Sequence, residues 1–256
     1  MSKIALVRRP GPRLNEGLTD NIEKVDVDLP LAMEQWEAYV SILQAHGWET
    51  VEVTPADDCP DAVFVEDTVL MFKNVAVSTR PGADSRKPEI DGTRATVEEL
   101  GCSLNQIKAP GTVDGGDILK VGNTVYIGRG GRTNGEGIAQ MRKILAPLEA
   151  EVVAVPVTKV LHLKTAVTAL PDGTVIGYPD FVDNSGIFPR FLPVPEEHGT
   201  AVVCLSDKDL VMSASAPETA ELLRNLGYTV TTTPMTEFEK LEGCVTCLSV
   251  RVRGLG

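Results

Sequence analysis

The chain has 256 residues, of which 43% are hydrophobic and 23% charged, and its formal net charge is −12. This composition is typical of a globular protein with a sizeable core, and the negative charge excludes nucleic acid and an anionic membrane surface as favoured partners, because like charges repel. A small cationic substrate suits such a surface, although acidity can also serve solubility alone.

The N-terminus and the cysteines indicate a cytoplasmic protein. The apolar run at residues 4–7 is too short for a signal peptide or a membrane span. An odd number of cysteines without an export signal predicts free thiols in a reducing compartment. The five are Cys59, Cys102, Cys204, Cys244 and Cys247.

One pattern recurs along the chain, namely a short apolar strand that runs into a turn rich in arginine, proline, glycine or serine. We predict such strands at residues 4–7, 75–77, 125–127, 175–176 and 210–212. Helical patterns lie between or beside them, at residues 31–45, 93–100, 136–148 and 217–226. Hairpin turns precede three of the strands, at residues 73–74, 122–123 and 172–173.

These elements suggest a repeat of strand, turn, strand, helix and strand. The middle copies are roughly 50 residues apart, a period that is typical of repeated supersecondary units. Five such units arranged radially would make a closed α/β propeller, whereas a doubly wound sheet fits the same alternation. No Gly/Ser linker divides the chain, so we expect a single domain over residues 1–256.

A first polar cluster lies at residues 61–67, where Asp61, Glu66 and Asp67 interrupt an apolar stretch that we predict to be a buried strand. A buried carboxylate without a partner costs several kcal/mol, so these acids should meet a cation or several donors. The alternative is a strand end in solvent.

A second cluster places two glycines between Asp114 and Asp117. Glycines let the backbone turn tightly and approach a ligand closely, although a solvated turn has the same composition. Asp114 and Asp67 precede comparable hairpins in successive repeats, so in a radial fold both would face the axis.

His162 lies in an alternating segment, residues 160–165, that we predict to be a strand. It could be a structural histidine, or the proton shuttle that a cysteine nucleophile requires. Arg86 and Arg132 follow the turns of the second and third repeats, and they could bind a carboxylate through two hydrogen bonds each.

Near the C-terminus, Cys244 and Cys247 stand between an acidic segment and an apolar, strand-like tail. Cys247 is our candidate nucleophile. The same spacing also fits a disulfide, half of a zinc site or a redox pair, and a single cysteine is often a small core residue.

Seven motifs, in order along essentially the whole chain, together resemble dimethylarginine dimethylaminohydrolase. They are Gly17 Leu18 Thr19; Phe64 Val65 Glu66 Asp67; Arg80 Pro81 Gly82 with Ser85 Arg86; Gly111 Thr112 Val113 Asp114 Gly115 Gly116 Asp117; Gly128 with Arg132 Thr133 Asn134; Leu161 His162 Leu163 Lys164; and Thr246 Cys247.

The resemblance implies the pentein fold, a five-unit α/β propeller. It also implies hydrolysis of methylated arginine to citrulline and an amine through a covalent thiouronium, with no metal and no cofactor. By position, the implied nucleophile is Cys247, the acid and base is His162, and the supporting carboxylate is Asp114. The implied substrate-binding residues are Leu18, Asp61, Glu66, Asp67, Arg86, Arg132 and, less directly, Leu241. Cys244 matches no functional position and is interpreted as structural.

Rival functions remain open at this point. An arginine deiminase would use similar chemistry on unmethylated arginine, but those enzymes generally carry an inserted helical domain for which this chain has no room. A redox or zinc-binding protein built on Cys244 and Cys247 would leave His162 and the acidic pairs without a task. A catalytically inactive binding protein for methylated arginine is a third possibility.

The sequence does not distinguish monomethylated from dimethylated substrates or a monomer from a homodimer. Residues 11–20, rich in Gly, Pro and Asn, are our candidate for a mobile lid that carries Leu18, although an ordered surface loop fits them equally.

Overall fold

In the computed structural model, which describes residues 3–254, the strands form five separate three-stranded sheets. In each sheet the central strand pairs antiparallel with one neighbour and parallel with the other. A hairpin suffices for the antiparallel pair, whereas a parallel pair needs a longer crossover. The five sheets therefore confirm the five-unit α/β propeller, and the doubly wound alternative is wrong.

The strands are β1 Lys3–Val7, β2 Glu49–Glu52, β3 Val69–Phe72, β4 Val75–Ser78, β5 Ser103–Gln106, β6 Ile118–Val121, β7 Thr124–Arg129, β8 Glu151–Pro156, β9 Val167–Ala169, β10 Val175–Gly177, β11 Phe191–Pro193, β12 Val202–Cys204, β13 Asp209–Ser213, β14 Thr229–Thr233 and β15 Val250–Arg253. The helices are α1 Leu29–Ala45, α2 Ile90–Glu99, α3 Gly135–Leu145, α4 Leu163–Ala166, α5 Pro217–Asn225 and α6 Thr236–Glu239.

The predicted repeat of strand, turn, strand, helix and strand is confirmed in three stretches of chain, β3 to β5, β6 to β8 and β12 to β14. The predicted hairpin turns lie where expected, with left-handed backbone at Lys73, Gly122 and Gly173. Between β10 and β11 the crossover is made of short 3₁₀ turns at Pro179–Phe181 and Ser185–Ile187 instead of an α-helix.

The first unit is completed by the last strand of the chain. β15 runs antiparallel to β1, with Leu6 opposite Val250 and Ile4 opposite Val252, and β2 pairs parallel on the other side of β1. The apolar tail predicted after Cys247 therefore closes the ring of units, and it fixes the Cys247 loop at the start of β15.

The central strands carry the core. Each has an almost continuous run of buried residues, as expected for strands covered on both faces. Full burial of one such aliphatic side chain contributes about 1.5–3 kcal/mol. Fully or almost fully buried examples, one from each central strand, are Leu6, Val77, Ile127, Ile176 and Val211.

Two local predictions are wrong. Residues 160–165 are not a strand, because His162 has extended backbone and directly precedes the short helix α4. Residues 61–67 are not a strand either: they turn and enter a 3₁₀ helix, Val65–Thr68, before β3 begins. In both places an apolar pattern that suggested a strand belongs to a turn that leads into one short helical element.

No helix formed by residues 3–254 is both long and apolar enough to cross a membrane.

A close approach inside the third unit can be tested with two alanine substitutions in α3. A Cβ on Gly137 would lie 2.1 Å from the carbonyl oxygen of Thr112, whereas a Cβ on Gly135 meets nothing within 4 Å. We expect Gly137→Ala to lower the free energy of unfolding by about 1–3 kcal/mol through overpacking. Gly135→Ala should leave it unchanged or raise it by up to about 1 kcal/mol. Urea denaturation of both variants checks this, and equal stability of the two would contradict the close approach.

Candidate active site

Most of the predicted site residues surround one small cavity of about 20 Å³. Its lining consists of Leu18, Asp61, Phe64, Asp67, Arg86, Arg132, Leu161, His162, Leu241, Glu242, Gly243 and Cys247. All the predicted residues line it except Asp114 and Glu66. Space of this size holds roughly one water molecule.

Four chemically important side chains occupy equivalent places in four units. Each lies within five residues before the strand that pairs antiparallel with the central strand of its unit. They are Asp67 before β3, Asp114 before β6, His162 before β9 and Cys247 before β15. The predicted equivalence of Asp67 and Asp114 is thus confirmed. Repetition of one loop position brings an acid, a second acid, an imidazole and a thiol toward one end of the propeller.

Asp114 and His162 form a buried pair. The Nε2 of His162 is 2.9 Å from Oδ2 of Asp114, and the backbone N–H of Gly82 donates to the other carboxylate oxygen at 2.8 Å. Arg132 Nη1 lies 3.7 Å from Asp114 Oδ2. Asp114 therefore lies behind His162 relative to the cavity and orients the imidazole.

The charges around His162 favour its protonated form. Burial lowers the pKa of His162, but the charge of Asp67, the hydrogen bond with Asp114 and the charge of Asp117 outweigh burial and raise the pKa to about 9. At neutral pH the imidazole accordingly carries a proton that it can donate.

Asp67 is held ionised by its partners. Its Oδ1 accepts a hydrogen bond from the backbone N–H of Gly116 at 2.6 Å, and its Oδ2 accepts one from Arg86 Nη1 at 2.6 Å. Burial raises the pKa of Asp67, but the charges of His162 and Arg86 and these hydrogen bonds hold it well below its ordinary range. The carboxylate is a fixed negative charge at the cavity wall.

Arg86 is almost fully buried and satisfied by the protein. It forms two hydrogen bonds with Glu89, at 3.0 and 2.8 Å, and it donates to the carbonyl oxygens of Asp61 and Phe64. Arg86 thus neutralises the acids beneath the cavity. Its predicted contact with a substrate carboxylate stays a prediction.

A short segment at residues 17–21 covers the cavity and is tied down by carboxylates. The backbone N–H of Leu18 donates to Asp61 Oδ1 at 3.0 Å, and those of Asp20 and Asn21 donate to Glu242 Oε2 at 2.5 and 3.2 Å. Arg132 Nη2 donates to Asp20 Oδ2 at 2.8 Å. These contacts place Leu18 over the site, as the lid hypothesis expects, while its mobility remains a prediction.

Glu66 is not brought to this cavity. Its carboxylate pairs with Lys164 Nζ at 2.5 Å and lies 3.7 Å from Arg251 Nη2. It lines a separate cavity of about 270 Å³ that is also bordered by Lys120 and Arg253. Adjacent residues of the 3₁₀ turn point to different sides, so Asp67 faces the small cavity and Glu66 does not. A direct substrate contact by the Glu66 side chain stays a prediction without geometric support.

Cys247 is half-buried and lies beside a second thiol. Its Sγ is 3.4 Å from Sγ of Cys244. The hydrogen bond with Cys244, burial, and the charges of Cys244, Glu66 and Asp67 raise the pKa of Cys247. The same hydrogen bond lowers the pKa of Cys244. The pair therefore loses its first proton more readily than its second.

Sequence reasoning did not assign roles to Asp117 and Glu242. Asp117 Oδ1 accepts from the backbone N–H of Leu163 at 3.0 Å, and its Oδ2 accepts from Thr133 at 2.6 Å, which fixes the loop that carries His162. Burial raises the pKa of Asp117 to about 6. The paired aspartates around two glycines were a signal for Asp117, whereas nothing in the sequence links Glu242 to residues 20 and 21.

Three ligand atoms, one each from Asp67, Asp114 and His162, lie within 4.8 Å of one another. This grouping could hold a metal ion. The group includes the hydrogen bond between His162 and Asp114, and of its three residues only Asp67 and His162 line the small cavity.

Comparison with known proteins gives a consistent result. A family model described as arginine deiminase matches residues 86–198. The chain is 63% identical to an N(G),N(G)-dimethylarginine dimethylaminohydrolase from Streptomyces coelicolor, over 99% of this chain and 98% of that protein. It is 36% identical to the protein of the same name from Pseudomonas aeruginosa, over 98% and 100% of the two chains.

A solved structure is also similar throughout. It is the Pseudomonas aeruginosa enzyme as a cysteine-to-serine mutant complexed with citrulline, with a TM-score of 0.91, 36% identity, and coverage of 98% of this chain and 100% of that chain.

The anchoring of residues 17–21 can be tested at Glu242, whose carboxylate also accepts from Asn21 Nδ2 at 2.8 Å. We expect Glu242→Ala to speed amide hydrogen exchange at residues 18–22 on the order of tenfold, because the loss of charge-assisted hydrogen bonds costs roughly 1.4 kcal/mol or more. Glu23→Ala, which removes an exposed carboxylate, is the matched control. Equal exchange in the two variants would show that Glu242 does not anchor the segment.

Proposed function

The chain belongs to the dimethylarginine dimethylaminohydrolase family, and from that premise we propose that it hydrolyses Nω-methylated arginine to citrulline and methylamine or dimethylamine. The observation that carries the proposal is the meeting of Cys247, His162 and the ionised Asp67 around one cavity. A thiol, a protonated imidazole and a fixed carboxylate are the groups that substitution at a guanidinium carbon requires.

We assign the guanidinium to Asp67. Its carboxylate faces the cavity with its charge held by Arg86 and Gly116. A charge-assisted hydrogen bond from the substrate contributes about 1.5–3 kcal/mol, and it sets the central carbon of the guanidinium near the Cys247 thiol. Asp114 acts mainly through His162, because its Oδ2 already faces Nε2 of that residue.

The remaining contacts of the substrate follow from charge. Arg132 binds the carboxylate of Asp20, and a substrate α-carboxylate carries the same charge, which supports its assignment to Arg132. Leu18 and Leu241 line the cavity and are assigned to its walls. Asp61 accepts a hydrogen bond from the N–H of Leu18, and the same carboxylate would accept hydrogen bonds from the substrate ammonium.

The reaction proceeds in two stages. The Cys247 thiolate attacks the guanidinium carbon and forms a C–S bond, and His162 donates its proton to the departing methylated amine as the C–N bond breaks. The neutral His162 then takes a proton from water, whose oxygen attacks the same carbon. The C–S bond breaks, the hydroxyl on the same carbon releases its proton to solvent, and citrulline leaves with the thiolate restored.

The second candidate activity is arginine deimination. The observation that favours it is the match of residues 86–198 to a family model described as arginine deiminase. The two activities share the nucleophile and differ in the amine released, so they are separated by the product: dimethylamine from asymmetric dimethylarginine, or ammonia from arginine.

We propose a single catalytic domain over residues 1–256. The pairing of β15 with β1, at opposite ends of the chain, supports this. We also propose a cytoplasmic location, which is supported by five free cysteines.

The nucleophile is tested by assaying citrulline and dimethylamine release from asymmetric dimethylarginine. We expect Cys247→Ser to lose turnover by at least about a thousandfold, because a serine hydroxyl is a far weaker nucleophile than a thiolate without a strong base. Cys204→Ser, at a thiol outside the cavity, is the control and should retain turnover. Substantial activity in Cys247→Ser would refute the assignment, and wild-type release of ammonia from arginine alone would favour deimination.

The role of Asp114 is tested by the titration of His162. The pKa of His162 is raised to about 9, in part by its hydrogen bond with Asp114 and by the Asp114 charge. We expect Asp114→Asn to lower that pKa, so the imidazole loses its proton at a lower pH and the alkaline limb of kcat moves to lower pH with it. NMR titration of labelled histidine, assigned with His162→Asn, measures the shift. Asp180→Asn, at an exposed aspartate, should not move it, and an unmoved pKa in Asp114→Asn would contradict the assignment.

A further inference from the structure

Cys244 adjoins the proposed nucleophile, yet the proposed reaction gives it no task. Its Sγ lies 3.4 Å from that of Cys247, and both are free thiols. We infer that Cys244 and Cys247 form a reversible disulfide that holds the enzyme in an inactive, oxidised form. The inference rests on the proposed function, in which Cys247 is the nucleophile.

The backbone already has the conformation that such a bond needs. The N–H of Cys247 donates to the carbonyl oxygen of Cys244 at 3.0 Å, which closes a four-residue turn. The Cα atoms at the ends of such a turn lie within about 7 Å of each other, and disulfides span Cα distances of about 4.4–6.8 Å. Rotation of the two side chains can therefore bring the sulfurs to bonding distance without moving the loop far.

The two thiols face different cavities. Cys247 lines the small cavity of about 20 Å³, whereas Cys244 lines a neighbouring cavity of about 320 Å³ that is also bordered by Asn21, His198 and Glu239. A small oxidant can therefore reach Cys244 through the larger cavity, without entering the small cavity that Cys247 lines.

The oxidant that we name is a hydroperoxide. The Cys244 thiolate attacks the peroxide, an S–O bond forms and the O–O bond breaks, and the departing oxygen takes up a proton. The Cys247 thiolate then attacks the Cys244 sulfur, the S–S bond forms, and the hydroxyl leaves as water. With hydrogen peroxide the two thiols lose two electrons and two protons, and two water molecules form. The reverse reaction needs only a dithiol reductant.

Local electrostatics support the first step. The hydrogen bond from Cys247, together with hydrogen bonds to Thr246, outweighs burial and lowers the pKa of Cys244 to about 7. A sizeable fraction of thiolate is present at neutral pH, and the thiolate is the form that reacts with peroxides.

The test is direct because both cysteines fall in one tryptic peptide, residues 241–251. The full chain is treated with hydrogen peroxide, blocked with iodoacetamide, digested and analysed by mass spectrometry, beside Cys244→Ser. Citrulline formation is measured on the same samples before and after dithiothreitol. We expect the wild-type peptide to lose the mass of two hydrogens and to escape alkylation. Nearly all activity should be lost in proportion to this change, and dithiothreitol should restore it.

In Cys244→Ser, activity is compared with the variant's own untreated sample. Without a partner thiol, Cys247 should advance to the sulfinic acid, and dithiothreitol should restore little of its activity. A wild-type peptide that carries sulfinic acid on Cys247 and an alkylated Cys244 would overturn the inference. So would a disulfide that leaves activity intact, which would also refute Cys247 as nucleophile. An untreated protein without turnover would refute the proposed function alone, since the peptide mass still decides the disulfide.

Discussion

The buried ion pair between Asp67 and Arg86 is the interaction on which the rest of the site depends. Asp67 is almost completely buried, and its Oδ2 lies 2.6 Å from Arg86 Nη1. Removing one partner from such a pair costs roughly 3–5 kcal/mol, because a buried charge is left unpaired. The charge of Asp67 in turn contributes most to raising the pKa of His162. The ion pair therefore keeps Asp67 ionised so that it can bind a cation, and the charge of Asp67 in turn favours the protonated imidazole.

Before a substrate binds, the titratable groups at the cavity already differ in their protonation states. His162 is protonated and Asp67 ionised, while the charges of Cys244, Glu66 and Asp67 help to raise the pKa of Cys247. A guanidinium beside Asp67 would bring a positive charge close to the thiol and lower its pKa. The substrate itself would then supply the charge that favours the attacking thiolate, which agrees with the acidity of the whole chain.

The sequence predicts the local elements well and the directions of side chains poorly. The helix pattern at residues 136–148 and the hairpin turn at 122–123 are confirmed, because periodicity and turn residues act locally. The alternating residues around His162 predict a strand, but only His162 itself is extended before α4 begins, and the four residues of α4 are too few to show a helical period. Glu66 and Asp67 are adjacent and chemically alike, and only the 3₁₀ turn decides which of them faces the cavity.

The location of the nucleophile follows from closure of the ring. Cys247 precedes β15 just as Asp67 precedes β3 and His162 precedes β9, but β15 reaches its place only by pairing with β1, more than 240 residues earlier in the chain. The carbonyl oxygen of Cys247 also accepts the N–H of Glu66 at 3.1 Å, which joins the closing loop to the unit that carries Asp67. If β15 separated from β1, the thiol would leave the imidazole and the carboxylate, so the geometry of the site depends on the pairing of the last strand of the chain with the first.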